Sequence, residues 1–318
     1  MRAVWLKEFG GPEVLVAGDA PDPVAGAGQA LIEVAFANIT FIETQLRAGG
    51  AGPFKVELPM ILGNGVGGVI TAVGAGADEG LAGKRVVSAT GGSGGYAERA
   101  AVDAGGVIEV PDGMELDIAV ALMADGRTAT SLVRAAAVRG GDRVLVEAAA
   151  GGVGTLLVQL AKSAGARVVA AAGGARKTEV ARGLGADVVI DYRQPGWAER
   201  VRETVGGVDV VFDGVGGAIG RSAFESLDRG GRMLSYGLAS GKWADISEED
   251  AVQRGVTLVR PPASPEEMRA FTLSALAEAA GGRLRPVIGQ RFPLERAAEA
   301  HAAIQSRATV GKTLLEVR

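Results

Sequence analysis

Residues 149–154 read A-x-G-x-x-G, one position short of the G-x-G-x-x-G pattern that binds dinucleotides. The run before them, Val144-Leu145-Val146, is apolar and rich in β-branched residues, as a buried parallel strand requires. After them Val153, Leu156, Leu157, Leu160, Ala161 and Ala164 recur at three- and four-residue spacing and mark one face of a helix. Strand, tight glycine turn and helix together aim backbone N–H groups and a helix N-terminus at a phosphate. In a chain with 50 glycines the same letters also fit an ordinary structural turn, so the flanking sequence has to decide.

An NAD-selective site places an acid at the end of its second strand, for the ribose 2′-hydroxyl. Here the second strand candidate, 168–172, runs into Gly173-Gly174 without one. Arg176 and Lys177 follow at once, where two cations would neutralise a 2′-phosphate; the alternative is that they only solvate the next helix. Asp191 ends the third strand candidate, too late to be the ribose acid. Tyr192 beside it is placed to stack on an adenine face or cover it. NADPH is the expected cofactor.

Those residues need a frame. Further apolar strand candidates at 168–172, 188–190, 208–212, 233–236 and 256–259 follow, the first few separated by helix-length segments and most of them joined by glycine turns. Such alternation folds by right-handed crossovers into a parallel sheet with helices on both faces. Six strands around one glycine-rich first turn make a doubly wound α/β domain with its ligand across the C-terminal strand edge. Ahead of it, short strands at 2–6, 14–17, 29–37, 61–73, 84–89, 95–102 and 107–110 predict a β-rich barrel or sandwich, with a single short helix at 40–47. Helical patterning starts near Leu116, breaks at Asp125-Gly126 and resumes over 127–138. Pro261, Pro262 and Pro265 mark a later boundary, followed by helices at 266–280 and 295–306 and a final strand at 313–317. The expected organisation is 1–118 as the first part of a β-rich domain, 119–260 as the nucleotide domain, and 261–318 returning to the first.

Composition narrows the function classes. A length of 318 residues is enough for two domains, each with its own core. A net charge of −4 without a basic stripe argues against nucleic acid as a partner. Lys7 and Glu8 fall where a signal peptide needs an apolar core. The uncharged run 58–77 holds six glycines, Pro59 and Asn64, a poor membrane helix and a better buried strand and turn. A cytoplasmic protein is expected. The absence of cysteine removes disulfides and Cys-ligated zinc, and a lone histidine, His301, leaves no Cys/His metal site and no ready Ser–His–Asp triad. His301 lies in an Ala-rich helical stretch and reads as a packing or surface residue.

The chain resembles the zinc-free quinone oxidoreductase branch (the zeta-crystallin type) of the medium-chain dehydrogenase/reductase superfamily over nearly its whole length. The resemblance is carried by G-G-P-E-V-L at 10–15, F-I-E-T-Q-L-R-A-G at 41–49, G-N-G-V-G-G-V-I at 63–70 and G-G-Y-A-E at 94–98. It continues through R-T-A at 127–129, A-A-A-G-G-V-G at 148–154, F-D-G-V-G-G at 212–217, Y-G-L-A-S-G at 236–241 and V-G-K-T-L at 310–314. It implies a GroES-like catalytic domain plus a Rossmann domain, NADPH bound in a cleft between them, and a homodimer joined through Rossmann sheet edges. By the family motifs Gly151, Gly152 and Val153 would hold the pyrophosphate, with Gly173, Arg176, Lys177 and Tyr192 at the adenosine phosphate end. Thr128 would lie by the nicotinamide, and Val215, Tyr236 and Leu238 along the cofactor. Two positions depart from the family: Thr40 stands where an Asn is usual and Gln45 where a Tyr is frequent, both on the substrate side in relatives. Asn64 stands where zinc-dependent relatives keep a metal-ligand histidine.

With no metal and no clear acid/base pair, the chemistry rests on the cofactor, and the protein supplies proximity, exclusion of water and hydrogen bonds to a developing oxyanion. Thr40, Gln45 and Tyr96 are the candidate donors, each equally open to a purely structural role, and solvent can supply the proton. The leading expectation is NADPH-dependent reduction of a quinone or conjugated enone. The alternatives are reduction of a specialised 2-enoyl substrate, such as a thioester or biosynthetic intermediate, and an NADPH-binding protein without turnover.

Overall fold

A computed structural model describes residues 1–50, 57–261 and 264–318. The chain opens with strands β1 (Arg2–Leu6), β2 (Leu15–Asp19) and the long β3 (Gln29–Ile39), and then helix α1 (Phe41–Arg47). Strands β4 (Met60–Ile61), β5 (Gly65–Val73), β6 (Arg85–Ala89), β7 (Arg99–Asp103) and β8 (Ile108–Glu109) lead to helix α2 (Leu116–Ala135). Alternation follows: β9 (Arg143–Val146), α3 (Gly152–Ser163), β10 (Arg167–Ala172), α4 (Ala175–Gly183), β11 (Val188–Asp191) and α5 (Trp197–Val205). It continues as β12 (Val208–Asp213), α6 (Gly217–Glu225), β13 (Leu227–Ser235), α7 (Glu248–Arg254), β14 (Thr257–Leu258) and α8 (Pro265–Ala280). The chain closes with β15 (Ile288–Pro293), α9 (Ala297–Gln305) and β16 (Lys312–Glu316).

These elements form two compact units, Met1–Ala124 with Pro286–Arg318, and Asp125–Arg285. In the first, β15-β16-β3-β5-β6-β8 make one sheet, with β7 also paired to β3, and β2-β1-β4 make a second. Strand β3 organises the larger sheet. Its residues Ala30, Ile32 and Val34 alternate with more exposed neighbours and are fully buried, as the two-residue period of a strand demands. The uncharged run at 58–77 holds β4 and β5.

In the second unit the parallel sheet has the order β11-β10-β9-β12-β13-β14. In chain order within the unit this is 3-2-1-4-5-6, the doubly wound arrangement read from the sequence, and its switch point lies between β9 and β12. Leu145, Val169, Val211 and Phe212 are wholly buried, which is why these strands read as unbroken apolar runs rather than alternating ones.

Two expectations change. The helix break at Asp125-Gly126 is absent, and α2 runs unbroken from Leu116 to Ala135. A glycine inside a helix costs about 1 kcal/mol relative to alanine, and the burial of Val120, Leu122, Ala129 and Leu132 outweighs it. The boundaries also fall later, at 124/125 and 285/286 instead of 118/119 and 260/261. Helix α8 stays with the nucleotide unit because Arg134 lies 5.5 Å from the Phe271 ring and donates to Ser274 Oγ at 3.1 Å. Gln159 then holds the backbone of Arg285 through both its amide groups, at 2.8 and 2.9 Å. Pro261 and Pro265 flank this region, and Pro262 lies outside the described residues.

Candidate functional site

The turn after β9 brings a helix N-terminus to the end of a central strand. Gly151 N–H donates to the Ala148 carbonyl at 2.8 Å, and Gly151 caps α3 in an extended conformation without a side chain over the helix end. Gly154 sits against the strand exit so tightly that a Cβ would stand 2.9 Å from the Ala148 carbonyl carbon and 2.9 Å from Ala149 Cα. The last glycine of the A-x-G-x-x-G pattern therefore sets the helix-to-strand distance. The first-turn amides of α3, those of Gly152 and Val153, carry the positive end of its dipole. A pyrophosphate suits this donor set by charge and by the absence of competing side chains.

The end of β10 is basic. Gly174 caps α4 with φ +94°, a conformation that favours glycine. Arg176 is exposed and Lys177 half-buried in the first turn of α4. The Tyr192 ring lies on Gly173, 3.3 Å from where a Cβ would be, and meets Trp197 edge-on with centroids 6.5 Å apart. Arg193 covers Gly174 and pairs through two nitrogens with Asp191 at 3.1 and 3.0 Å. That guanidinium is the main reason the Asp191 carboxyl is held down to about 2. Arg193 is the residue the sequence reading missed. Its signal was available: a third cation directly after Asp191-Tyr192, at the end of the strand beside β10.

At the switch point the turn after β12 converges on the turn after β9. Asp213 Oδ1 accepts from Val215 N at 2.9 Å and Gly216 N at 2.7 Å, and Oδ2 accepts from Ser235 Oγ at 2.9 Å. Tyr236 packs on Gly214, and its hydroxyl donates to the Glu147 carbonyl at 3.4 Å. Leu238 is half-buried and accepts from Gly241 N at 2.8 Å, and Thr128 is half-buried on α2. Gly151, Gly152, Val153, Val215 and Tyr236 thus belong to turns at the C-terminal ends of neighbouring strands.

In the first unit Thr40 and Glu43 open α1. The Thr40 N–H and hydroxyl both donate to Glu43 Oε2, at 2.6 and 3.0 Å, and Asn64 N–H donates to Oε1 at 2.8 Å. Glu43 is fully buried, and burial raises its carboxyl against the opposing pull of these N–H groups. The T-x-x-E spacing of a capping box was a legible signal for Glu43 that the sequence reading did not use. Asn64 itself accepts from Gly92 N at 2.7 Å, so it ties two loops to α1. Gln45 is half-buried, its amide 3.5 Å from Thr44 Oγ1.

Tyr96 departs from the expectation of a substrate-side donor. It has no exposed surface, and its hydroxyl contacts Glu43 Oε2 at 3.3 Å and His301 Nε2 at 3.0 Å. His301 is a packing residue, edge-on to Tyr96, with its imidazole pulled down to about 3 by burial. Among the described residues no group of three or more His, Asp or Glu side chains is placed to hold a metal ion, and no helix is long and apolar enough to cross a membrane.

Residues 26–112 match the alcohol dehydrogenase GroES-like domain family, and residues 152–277 match the family described as zinc-binding dehydrogenase. The human quinone oxidoreductase is 33% identical over 325 residues, which cover 99% of this chain and 97% of that protein. The structure of Escherichia coli quinone oxidoreductase complexed with NADPH aligns with a TM-score of 0.91 at 31% identity, over 99% of this chain and 100% of that one. A mycobacterial protein complexed with NADPH aligns with a TM-score of 0.90 at 34% identity, over 99% of this chain and 100% of that one. The chain belongs to the quinone oxidoreductase family of the medium-chain dehydrogenase/reductase superfamily.

Proposed function

We infer that the protein is an NADPH-dependent oxidoreductase that delivers hydride to a quinone or conjugated enone without a bound metal. The observation that carries this reading is the pairing of an open helix N-terminus after β9 with a β10 that ends in no acid of its own and is followed by Arg176 and Lys177. In this reading Gly151, Gly152 and Val153 bind the pyrophosphate through backbone amides. Arg176, Lys177 and Arg193 neutralise the 2′-phosphate beside Gly173, and Tyr192 covers the adenine. Thr128, Val215, Tyr236 and Leu238 serve the nicotinamide end.

Bound NADPH supplies the hydride. The chain's own residues bind and orient it, keep water away from the transfer, and offer hydrogen bonds where negative charge develops on the acceptor. Gln45 is the candidate for that last role, because it keeps exposed surface, whereas the Thr40 hydroxyl already donates to Glu43 and the Tyr96 hydroxyl is enclosed. Metal independence draws support from the absence of cysteine and from a single histidine already committed to Tyr96. The same reading places the protein in the cytoplasm as a homodimer, to be checked by cell fractionation and sedimentation.

The test is NADPH oxidation by metal-stripped protein offered a simple quinone and, separately, a 2-enone. Turnover that survives chelation supports the reading, and activity that returns only with added zinc overturns its metal-free part. A specialised 2-enoyl substrate is the second reading, favoured by Thr40 and Gln45 at the two positions that depart from the family pattern. Reduction of 2-enoyl thioesters with no turnover of simple quinones would select it.

A further inference from the structure

One acid, Glu147, ends the central strand of the parallel sheet. Glu147 follows Val146 at the C-terminal end of β9 and has no exposed surface; Val146 pairs with Phe212 and Glu147 N–H donates to the Phe212 carbonyl at 3.0 Å, which sets Glu147 beside Asp213 at the end of β12. Both carboxyls are therefore buried at the switch point of the parallel sheet. Their hydrogen bonding is unequal. Asp213 accepts three donors, from Val215 N, Gly216 N and Ser235 Oγ. Neither oxygen of Glu147 meets a donor, and the Val215 N–H is taken by Asp213. Two neighbouring buried carboxylates, one of them unserved by any donor, are a costly arrangement, because an ionised carboxylate only accepts. A proton between them removes the repulsion and gives Glu147 a partner at once.

We propose that Glu147 and Asp213 share one proton, carried by Glu147 and donated to Asp213, and that this bond positions the two glycine turns at the cofactor end of the sheet. Glu147 precedes the turn 148–152, and Asp213 holds the turn 214–216 through its amides. The O–H···O⁻ bond links one turn to the other. It also leaves a single negative charge behind the helix N-terminus of α3 in place of two. The other titratable groups around the pair are Tyr236, whose hydroxyl meets the Glu147 carbonyl, and, farther out around Tyr236, Asp125 and Tyr192. Burial, then the hydrogen bond to and charge of Asp213, push the Glu147 carboxyl well up, in the direction the geometry requires. Glu147 acts through the turns and is a positioning residue.

The effect on the cofactor rests on the NADPH reading; the shared proton does not. The proton is tested without cofactor, by urea unfolding of wild type and Glu147→Gln from about pH 5 to about pH 8. A carboxyl raised in the folded state binds a proton that the unfolded chain releases above its ordinary value of about 4.3, so wild type loses stability as pH rises. The amide does not titrate. The ratio of the two unfolding constants should shift by about tenfold per pH unit in favour of Glu147→Gln. A ratio constant across this window overturns the proposal. Infrared spectra of wild type with 13C-labelled glutamate provide a measurement that needs no variant: a protonated glutamic acid C=O band persisting above neutral pH is expected, and its absence overturns the shared proton.

For positioning, the readout is NADPH binding. Glu147→Gln, which still donates to Asp213, should stay within about threefold of wild type, whereas Glu147→Ala should weaken binding by about tenfold or more. Equal losses in both variants, or none in the alanine variant, overturn the positioning role. Wild type that shows the pH-dependent ratio but does not bind NADPH would overturn the functional reading and leave the shared proton standing.

Discussion

Replacing Gly154 by alanine separates what the fold requires of the glycine turn from what a cofactor requires. A Cβ at 154 would stand 2.9 Å from the carbonyl carbon of Ala148 and from Ala149 Cα, both backbone atoms, whereas ordinary contact begins at 3.4 Å. The Ala148 carbonyl oxygen would be nearer still, so more than about half an ångström must be absorbed by moving α3 or the turn. Neither yields easily, since Leu156, Leu157 and Val158 are buried on the same helix. Overpacking of this kind costs roughly 1–3 kcal/mol, and backbone neighbours put Gly154→Ala at the upper end, about 3 kcal/mol. For a unit of this size each kcal/mol shifts Tm by about 2–4 °C, so a fall of about 6–12 °C is expected in the cofactor-free protein. Gly151→Ala is the control. Its Cβ meets only the Ala148 oxygen at 3.2 Å, and its φ of −83° suits any residue. It should change Tm by less than about 3 °C, yet raise the Kd for NADPH by about tenfold or more, because the new methyl stands at the helix end. Differential scanning fluorimetry and calorimetric titration measure the two effects. Equal Tm for Gly154→Ala and wild type would refute the packing argument, and unchanged NADPH affinity in Gly151→Ala would refute the placement of the pyrophosphate.

Three further outcomes are expected. Lys177→Ala and Arg193→Ala should each weaken NADPH by about 10- to 100-fold, the worth of a charge-assisted hydrogen bond, and leave NADH nearly unchanged; equal losses for both cofactors would remove the 2′-phosphate assignment. Asp191 has a lowered carboxyl in the folded state, so its pairing with Arg193 stabilises above the ordinary value of 3.8 and is lost as pH falls through about 2. The stability gap between wild type and Asp191→Asn should therefore close between about pH 4 and about pH 2 and, since Arg193 is largely exposed, shrink with salt; a gap that does not change over this window would remove the pairing. Tyr96→Phe leaves His301 Nε2 without a partner and should cost about 1–2 kcal/mol of stability with little change in kcat; a large fall in kcat at unchanged stability would return the Tyr96 hydroxyl to the reaction.

The nucleotide unit was legible because a parallel strand buried on both faces announces itself as an apolar run, and because the turn after β9 places its glycines by local geometry. The unbroken course of α2 was not legible, since Gly126 signals a break locally and only tertiary burial overrides it. At the end of β10, Arg176 and Lys177 stand next to the turn in sequence, but Arg193 reaches Gly174 only because β11 pairs with β10. The same reason hides Glu147. In sequence it is one acid after V-L-V, and its partner Asp213 becomes its neighbour only when β12 joins β9. Glu43 was readable from T-x-x-E, yet its contact with Tyr96 depends on chain segments brought together by folding.

Single-turnover reaction with NADPH deuterated at the transferable C4 position decides whether this protein passes hydride to an acceptor. Under anaerobic conditions rapid oxidation is expected on mixing with a quinone or a 2-enone, slowed by a primary isotope effect, with deuterium on carbon in the enone product. Bound NADPH that stays reduced in the presence of quinones, enones and enoyl thioesters alike would contradict it, and would identify the protein as one that holds the cofactor without using it.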